Sequence, residues 1–156
     1  MTKSKEKKPN LFIVGHPRSG TTSLYWMLKQ HPEIFMSEEK EPHYFDKDVA
    51  QKTKKGYLSL FSGLGDENVV GEATPSYLRS KVAAKEIKKF NPDAKITIFL
   101  REPTDFLRAW YQKAAGGERE KTSEIDKNIF KKEYLEMVKY SEQIKRYLNN
   151  FSKKNI

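Results

Sequence analysis

The sequence predicts a P-loop-like α/β fold, in which helices cover both faces of a mainly parallel β-sheet to give three layers, α/β/α. Short apolar runs alternate with segments of helical periodicity along the 156 residues. The stretch IVGHPRSGTTSLYWML, residues 13–28, places a glycine-bounded loop between an apolar run and a helix. KITIFLREP, residues 95–103, is the clearest strand in the chain, and Pro103 closes it.

The composition indicates one polar globular domain, because 37% of the residues are hydrophobic and 33% are charged. No run approaches the roughly 18 apolar residues that a membrane span needs. The N-terminal MTKSKEKK lacks the apolar core of a secretory signal, so we expect a disordered basic tail over residues 1–8, one domain over residues 9–156 and a cytoplasmic location. The absence of cysteine excludes disulfides, thiolate metal sites and a cysteine nucleophile.

The formal net charge of +9 suggests an anionic partner, although lysines that only solvate the surface would give the same excess. We do not expect that partner to be a nucleic acid. The sequence carries no recognisable nucleic-acid-binding motif, and its aromatic residues do not alternate with basic ones.

The first half of the chain predicts three strands and two helices. Strands are expected within PNLFIVG (9–15), HPEIFMS (31–37) and VVGEATPSYL (69–78), and the last of them runs into a turn at Pro75. Helices are expected over TTSLYWMLKQ (21–30) and over residues 48–61. The apolar side of the second helix is formed by Tyr57, Leu58, Leu60 and Phe61.

The second half predicts one central strand between helices. A helix is expected over residues 80–90, with Val82, Ile87 and Phe90 inward, and it precedes the strand in residues 95–103. A second helix is expected over residues 104–115, capped by Thr104 or Asp105 and ended by Gly116 and Gly117. A long helix from 127 to about 149 and the start of another strand in FSKKNI (151–156) complete the prediction. Ligands of such a sheet bind at the carboxyl ends of its strands.

The loop after the first strand resembles a phosphate-binding loop without its lysine. Gly15 and Gly20 occupy the glycine positions of G-x-x-x-x-G-K-[ST], Thr21 stands in the lysine position and Thr22 in the hydroxyl position. The N–H groups of residues 18–22 can point at an anion on the helix N-terminus, and Arg18 adds a forked cation. We therefore predict a phosphate or sulfate site; the alternative is a tight turn that binds nothing.

The end of the strand in residues 95–103 favours chemistry without a metal. A magnesium-dependent nucleotide hydrolase needs an aspartate at such a position, whereas this strand leads to Arg101. Glu72 is the one rival for a metal role. A transferred sulfuryl group carries less charge than a phosphoryl group, so side-chain cations can suffice. We therefore predict no metal.

Three segments resemble, in order and spacing, the sulfotransferases that use 3′-phosphoadenosine-5′-phosphosulfate (PAPS), and most of all the carbohydrate-modifying and bacterial members. They are PNLFIVGHPRSGTTSLYWMLKQHPEIFMSEEKEPHYF, GEATPSYL and ITIFLREPTDFLRAWYQ. The resemblance runs from about Pro9 to Tyr147 and implies a P-loop-like α/β fold. It also implies a chain that is short at its C-terminus, since members usually continue further.

The resemblance assigns site residues position by position. It implies that the 5′-phosphosulfate is bound by Arg18, Ser19, Gly20, Thr21 and Thr22, with Arg18 also reaching the sulfuryl oxygens, and that Arg101 binds the 3′-phosphate. The serine that usually follows eight positions after Arg101 is Ala109 here, and a lysine common in the carbohydrate branch is Ala73.

The proton acceptor has two candidates in the segment EPHYF. The resemblance places the catalytic base at Glu41, and His43 is an alternative that could instead pack beside Tyr44 and Phe45. His16 is expected to shape the loop and His31 to end a helix. Trp26 and Trp110 are expected in the core and not on a nucleotide base.

These observations favour a PAPS-dependent sulfotransferase whose acceptor is a small molecule or carbohydrate that carries a hydroxyl or amine. One alternative is a non-catalytic module that binds a nucleotide or polyanion, which Ala109, Ala73 and the early end favour. The other is a small P-loop kinase that uses ATP and magnesium.

Overall fold

Four parallel strands form one sheet, which confirms the predicted α/β class. The structure, a computed structural model, describes residues 8–46, 52–114 and 132–156. The strands are β1 (Leu11–Gly15), β2 (Ile34–Met36), β3 (Val69–Ala73) and β4 (Lys95–Phe99). Their order across the sheet is β2-β3-β1-β4, so β1 is central.

Six helices accompany the sheet within the described residues. They are α1 (Thr21–Lys29), α2 (Lys54–Leu58), α3 (Ala83–Phe90), α4 (Pro103–Ala114), α5 (Lys132–Met137) and α6 (Tyr140–Leu148). Short 3₁₀ turns cover Ser59–Phe61, Pro75–Leu78 and Lys153–Asn155. None of the helices in this part of the chain is long and apolar enough to cross a membrane.

The two faces of β1 pack into two different apolar clusters. Phe12 and Val14 join a large cluster that includes Ile87 of α3 and Tyr147 of α6. Ile13 points to the opposite face and packs with Tyr25 of α1. Because successive side chains of a strand alternate between faces, this division shows helices on both sides of the sheet, as the three-layer prediction required.

The helix predicted over residues 80–90 begins later than expected, and its inward face is different. The Ser80 hydroxyl oxygen accepts the N–H groups of Val82 and Ala83 at 3.2 and 3.1 Å, and α3 begins at Ala83. Val82 therefore precedes the helix and is 39% exposed, so its predicted inward position is wrong. Ala83, Ala84 and Ile87 form the buried face, and Phe90 is partly buried against it.

Two other helix starts also differ from the prediction. Helix α4 begins at Pro103, a favoured first residue, and the Glu102 carboxylate, not Thr104 or Asp105, accepts the Asp105 N–H at 2.8 Å. In the segment predicted as helical over 48–61, α2 begins at Lys54 because the Thr53 hydroxyl oxygen accepts the Gly56 N–H at 3.1 Å. Residues 48–51 and the predicted stop at Gly116 and Gly117 lie outside the described residues.

The helix predicted from 127 to 149 is two helices that pack on different groups. In α5 and just after it, Tyr134, Met137 and Val138 lie against Phe106 and Leu107 of α4. Helix α6 instead places Tyr147 in the main core. Two residues outside any helix, Val138 and Lys139, separate the two helices. The beginning of the prediction, residues 127–131, is not described.

The strand predicted in residues 151–156 is wrong, because this segment forms the 3₁₀ turn Lys153–Asn155. Phe151 is buried in the main core. The Lys95 ammonium donates to the Asn155 side-chain oxygen at 2.8 Å and to the Lys154 carbonyl at 3.1 Å. The segment is thus attached to β4 by hydrogen bonds from the Lys95 side chain, and not by a ladder of backbone hydrogen bonds.

Candidate functional site

The loop after β1 begins in close contact with the end of β4. Gly15 lies opposite Phe99, and the His16 N–H donates to the Phe99 carbonyl at 3.1 Å. A Cβ atom on Gly15 would lie 2.2 Å from that carbonyl oxygen, so only glycine fits here. This register places the loop and the segment after β4 side by side at the carboxyl edge of the sheet.

The loop leaves backbone donors free at the start of α1. The first N–H to bond within the turn is that of Leu24, which donates to the Gly20 carbonyl at 3.1 Å. The helical amides before it have no intrahelical acceptor. Gly20 has φ of 93°, a left-handed conformation that favours glycine, and apart from its two chain neighbours no described residue lies within 4 Å of the place of its missing Cβ. The helix N-terminus is therefore open to an anion.

An open cleft of about 390 Å³ lies over these donors, lined by Arg18, Gly20, Thr21, Thr22 and Arg101. The Arg101 guanidinium donates to the Arg18 carbonyl at 3.3 Å, so the two arginine segments are in contact. The structure thus brings together five of the six residues predicted to hold the nucleotide. Ser19, the sixth, lies within the loop, and its buried hydroxyl has no hydrogen-bond partner within the described chain. Two guanidinium groups, two hydroxyls and a helix N-terminus suit an anion.

His16 joins the loop to the C-terminal helix α6. Its ring packs between Phe106 and Tyr140, with centroid distances of 4.6 and 4.5 Å, and its Nε2 lies 3.0 Å from the Gln143 side-chain oxygen. The Gln143 amide donates to the Met137 carbonyl at 3.1 Å, which turns its oxygen toward His16. Burial, and secondly the charge of Arg79, lower the His16 pKa to about 4, so the ring is neutral at pH 7.

Helix α6 also holds the segment that carries Arg101. The Tyr140 hydroxyl donates to the Arg101 carbonyl at 2.9 Å. Tyr140 therefore supports the segment of Arg101, and Gln143, through His16, supports the loop that carries Arg18. Sequence reasoning missed both residues. Their spacing of three positions places them on one face of a helix, but the sequence does not show which part of the fold that face contacts.

Glu41 lies at the carboxyl end of β3, next to β1 in the sheet. Its N–H donates to the Ala73 carbonyl at 3.0 Å, and its backbone has φ of 59°. The carboxylate forms an ion pair with Lys40, and its other oxygen lies 3.7 Å from His43 Nε2. With 43% of its side chain exposed, Glu41 is open to a bound molecule.

His43 stands between two carboxylates. Its Nδ1 lies 3.0 Å from the Asp46 carboxylate and 3.2 Å from the Ser76 hydroxyl, which itself donates to Asp46 at 2.5 Å. Asp46 is buried, so this arrangement fixes the ring. The predicted base candidates Glu41 and His43 are therefore adjacent. Sequence reasoning missed Asp46 and Ser76, although Asp46 follows His43 by three positions and could have been considered.

Glu72 lies inside the protein and not on the cleft. Its carboxylate accepts the Tyr57 and Thr74 hydroxyls, both at 2.7 Å, and lies 3.4 Å from the Tyr77 hydroxyl. Burial is the main reason why the pKa of Glu72 rises to about 7. Within the described residues there is no group of three or more acidic, histidine or cysteine side chains that could hold a metal.

Glu72→Gln is expected to flatten the pH dependence of stability. Because the folded-state pKa of about 7 lies above the ordinary 4.5, Glu72 contributes stability that is fully present below pH 4.5 and is lost as the pH rises through 7. The shift corresponds to about 3 kcal/mol in the free energy of unfolding. Urea unfolding from pH 4 to 8 measures it, with exposed Glu33→Gln as the control. An unchanged pH profile in Glu72→Gln would contradict this assignment.

The two tryptophans, both predicted in the core, have different surroundings. Trp26 is 54% exposed on α1, so the core expectation is wrong for it. Trp110 is partly buried on α4, where it packs against Phe106, and its ring lies 5.4 Å from the Arg79 guanidinium. His31 lies at the end of a helix, as expected: α1 ends at Lys29, and the His31 N–H donates to the Leu28 carbonyl at 3.0 Å.

Comparisons with known proteins agree on one family. A model of the sulfotransferase family matches residues 9–67. The crystal structure of a sulfotransferase from Alicyclobacillus acidocaldarius superposes with a TM-score of 0.78 at 30% identity, covering 96% of this chain and 71% of that one.

Two curated proteins are similar over shorter lengths. The membrane-associated sulfotransferase kil1 of Dictyostelium discoideum is 30% identical over 99 residues, which are 62% of this chain and 21% of that protein. The human heparan sulfate glucosamine 3-O-sulfotransferase 6 is 33% identical over 95 residues, 61% of this chain and 27% of that protein. The chain thus spans about a quarter of the length of these relatives.

Proposed function

We propose a sulfuryl transfer for this chain, which belongs to the sulfotransferase family. The donor is PAPS and the acceptor is a hydroxyl or amine, in the first place of a carbohydrate. The observation that carries the proposal is the cleft in which Arg18 and Arg101 meet the N-terminus of α1. The carboxyl ends of β1 and β4 place both arginines there.

The cleft offers separate groups for the two ends of PAPS. The open amides before Leu24, with Arg18, Ser19, Thr21 and Thr22, suit the 5′-phosphosulfate, and Arg101 suits the 3′-phosphate. The acceptor oxygen attacks sulfur, the bond between sulfur and the phosphate oxygen breaks, and adenosine 3′,5′-bisphosphate leaves. The loop and Arg18 stabilise the charge that grows on the leaving phosphate.

Glu41 is the proposed base for the acceptor's proton. His43 Nδ1 is engaged by Asp46 and Ser76, and its Nε2 lies 3.7 Å from the Glu41 carboxylate, a charge contact that is longer than a hydrogen bond. The carboxylate of Glu41 is more exposed and can accept the proton that the acceptor loses. His43 then positions Glu41.

A carbohydrate acceptor is proposed from the relatives. The human 3-O-sulfotransferase described above is named for heparan sulfate glucosamine, and the bifunctional heparan sulfate N-deacetylase/N-sulfotransferase 1 of Caenorhabditis briggsae is 29% identical over 117 residues. The net charge of +9 suits a saccharide that carries acidic groups.

Adenosine 3′,5′-bisphosphate is expected to bind more tightly than ATP, and to do so without a divalent metal. Arg101 supplies a cation for the 3′-phosphate, which ATP lacks, and a charged hydrogen bond of this kind contributes about 1.5–3 kcal/mol, or roughly ten- to a hundredfold in affinity. Calorimetry in EDTA measures both ligands. Binding of ATP that needs magnesium, with none of the bisphosphate, would indicate a kinase instead.

Transfer of radiolabelled sulfate from PAPS to a panel of sugars, phenols and amines tests the catalytic step. The replacement of a usual serine by Ala109 favours a second candidate, a non-catalytic nucleotide-binding module. Tight binding of the bisphosphate with no transfer to any acceptor would support that candidate over the enzyme.

A further inference from the structure

Arg79 is linked through neighbouring residues to both the anion-binding loop and the Glu41–His43 pair. It follows the 3₁₀ turn Pro75–Leu78, which carries the Ser76 hydroxyl beside His43. On the other side, its guanidinium lies against Trp110, Trp110 packs on Phe106, and Phe106 packs on His16 of the loop.

The Arg79 guanidinium has no ionic partner in the described part of the chain. None of the carboxylates described lies within 4 Å of it, and its Nε is buried without a hydrogen-bond partner. Burial lowers the Arg79 pKa, and the charge of Asp46 partly offsets that effect. A partly buried arginine is normally paired, because removal of a charge from water is costly. An oxyanion from a ligand would complete it.

The surroundings hold Arg79 in place for such a ligand. The guanidinium lies 5.4 Å from the centroid of the Trp110 ring, a cation–π distance. Arg146 of α6 donates to the carbonyls of Leu78 and Arg79 at 3.2 and 3.1 Å, and the Tyr147 hydroxyl donates to the Tyr77 carbonyl at 2.8 Å. Side chains of α6 therefore fix the backbone of residues 77–79, and the nearby Arg146 adds positive charge.

We propose that Arg79, supported by Trp110, binds an oxyanion carried by the acceptor and thereby selects acidic saccharides. A guanidinium fork fits a carboxylate or a sulfate ester through two parallel hydrogen bonds, and the indole beside it offers an apolar surface for a sugar ring. Arg79 does not line the cleft of Arg18 and Arg101, which leaves it for the acceptor and not for the nucleotide. This inference rests on the proposed function.

The test is calorimetric binding of three disaccharides to protein saturated with adenosine 3′,5′-bisphosphate. One disaccharide contains a uronic acid, the second is its carboxyl-reduced form, and the third is the reduced form with a sulfate ester. The wild type is expected to bind the two acidic forms about ten- to a hundredfold more tightly than the neutral form. Arg79→Gln should remove this preference and leave the nucleotide affinity unchanged, whereas exposed Lys85→Gln should resemble the wild type.

The proposal is overturned if the wild type does not distinguish the acidic from the neutral disaccharide, or if folded Arg79→Gln still does. It is also overturned if Arg79→Gln loses the nucleotide. Should Arg79→Gln not fold, Arg79→Lys keeps the charge without the fork and must reduce the preference. Failure of the proposed function is seen separately, as absence of sulfuryl transfer by the wild type while the Arg79-dependent preference persists.

Discussion

Replacement of Glu41 by glutamine is expected to reduce sulfuryl transfer about 10²–10⁴-fold, the usual contribution of general-base catalysis. Glutamine keeps the shape and hydrogen-bonding reach of the side chain but cannot take the acceptor's proton. Nucleotide affinity should change little, because Glu41 lies at the end of β3 and does not line the cleft of Arg18 and Arg101. Single-turnover transfer from radiolabelled PAPS, together with calorimetry of the bisphosphate, separates the two effects.

His43→Ala is the matched variant for this experiment. If His43 only positions Glu41, its removal should reduce turnover less than Glu41→Gln does. Near-normal turnover in Glu41→Gln, with turnover abolished in His43→Ala, would move the base to His43. In that case the contact of His43 Nδ1 with Asp46 at 3.0 Å would orient the ring and leave Nε2 to accept the proton.

The sheet and the loop could be predicted because their signals are local. Leu11–Gly15 and Lys95–Phe99 are short apolar runs that end at a glycine or before a charged segment, and the spacing from Gly15 to Gly20 specifies the loop. Parallel pairing then brings strand ends to one edge without further information. Arg18 and Arg101 could therefore be assigned to one site although 83 positions separate them.

The supporting residues could not be predicted, because tertiary packing alone brings them together. His16 and Gln143 are 127 positions apart, and Ser76 and Asp46 are 30 apart. Neither pair leaves a periodic pattern in the sequence. The same limit explains the break in the helix predicted from 127 to 149, since α5 packs on α4 whereas α6 packs on the main core.

Helix and strand ends were misplaced for a more local reason. A hydroxyl or carboxylate that accepts a backbone N–H decides where a helix begins, and several neighbouring side chains can compete for that role. Glu102 takes the place predicted for Thr104 or Asp105, and Ser80 shifts Val82 out of the helix. At the end of the chain, the apolar Phe151 suggested a strand, but it packs in the main core without pairing in the sheet.

Arg101→Ala is expected to remove most of the preference for ligands that carry a 3′-phosphate. Loss of one partner of a charged pair costs about 2–5 kcal/mol, or roughly 30- to 4,000-fold in affinity, and the openness of this cleft favours the lower end. Calorimetry should compare adenosine 3′,5′-bisphosphate with adenosine 5′-phosphate in the wild type and the variant. The weaker ligand should be affected far less, because the residues around Thr21 still hold its 5′-phosphate.

The ratio of the two affinities, rather than either affinity alone, identifies the role of Arg101. Its guanidinium also donates to the Arg18 carbonyl at 3.3 Å, so its loss can loosen the loop and weaken both ligands together. Such a uniform loss would show that Arg101 supports the loop and does not contact the 3′-phosphate. Arg101→Lys retains the charge without the fork, so an intermediate ratio is expected if the arginine contacts the phosphate directly. A ratio unchanged from the wild type in Arg101→Ala would place the 3′-phosphate elsewhere, and the assignment of this cleft to PAPS would then rest on the loop alone.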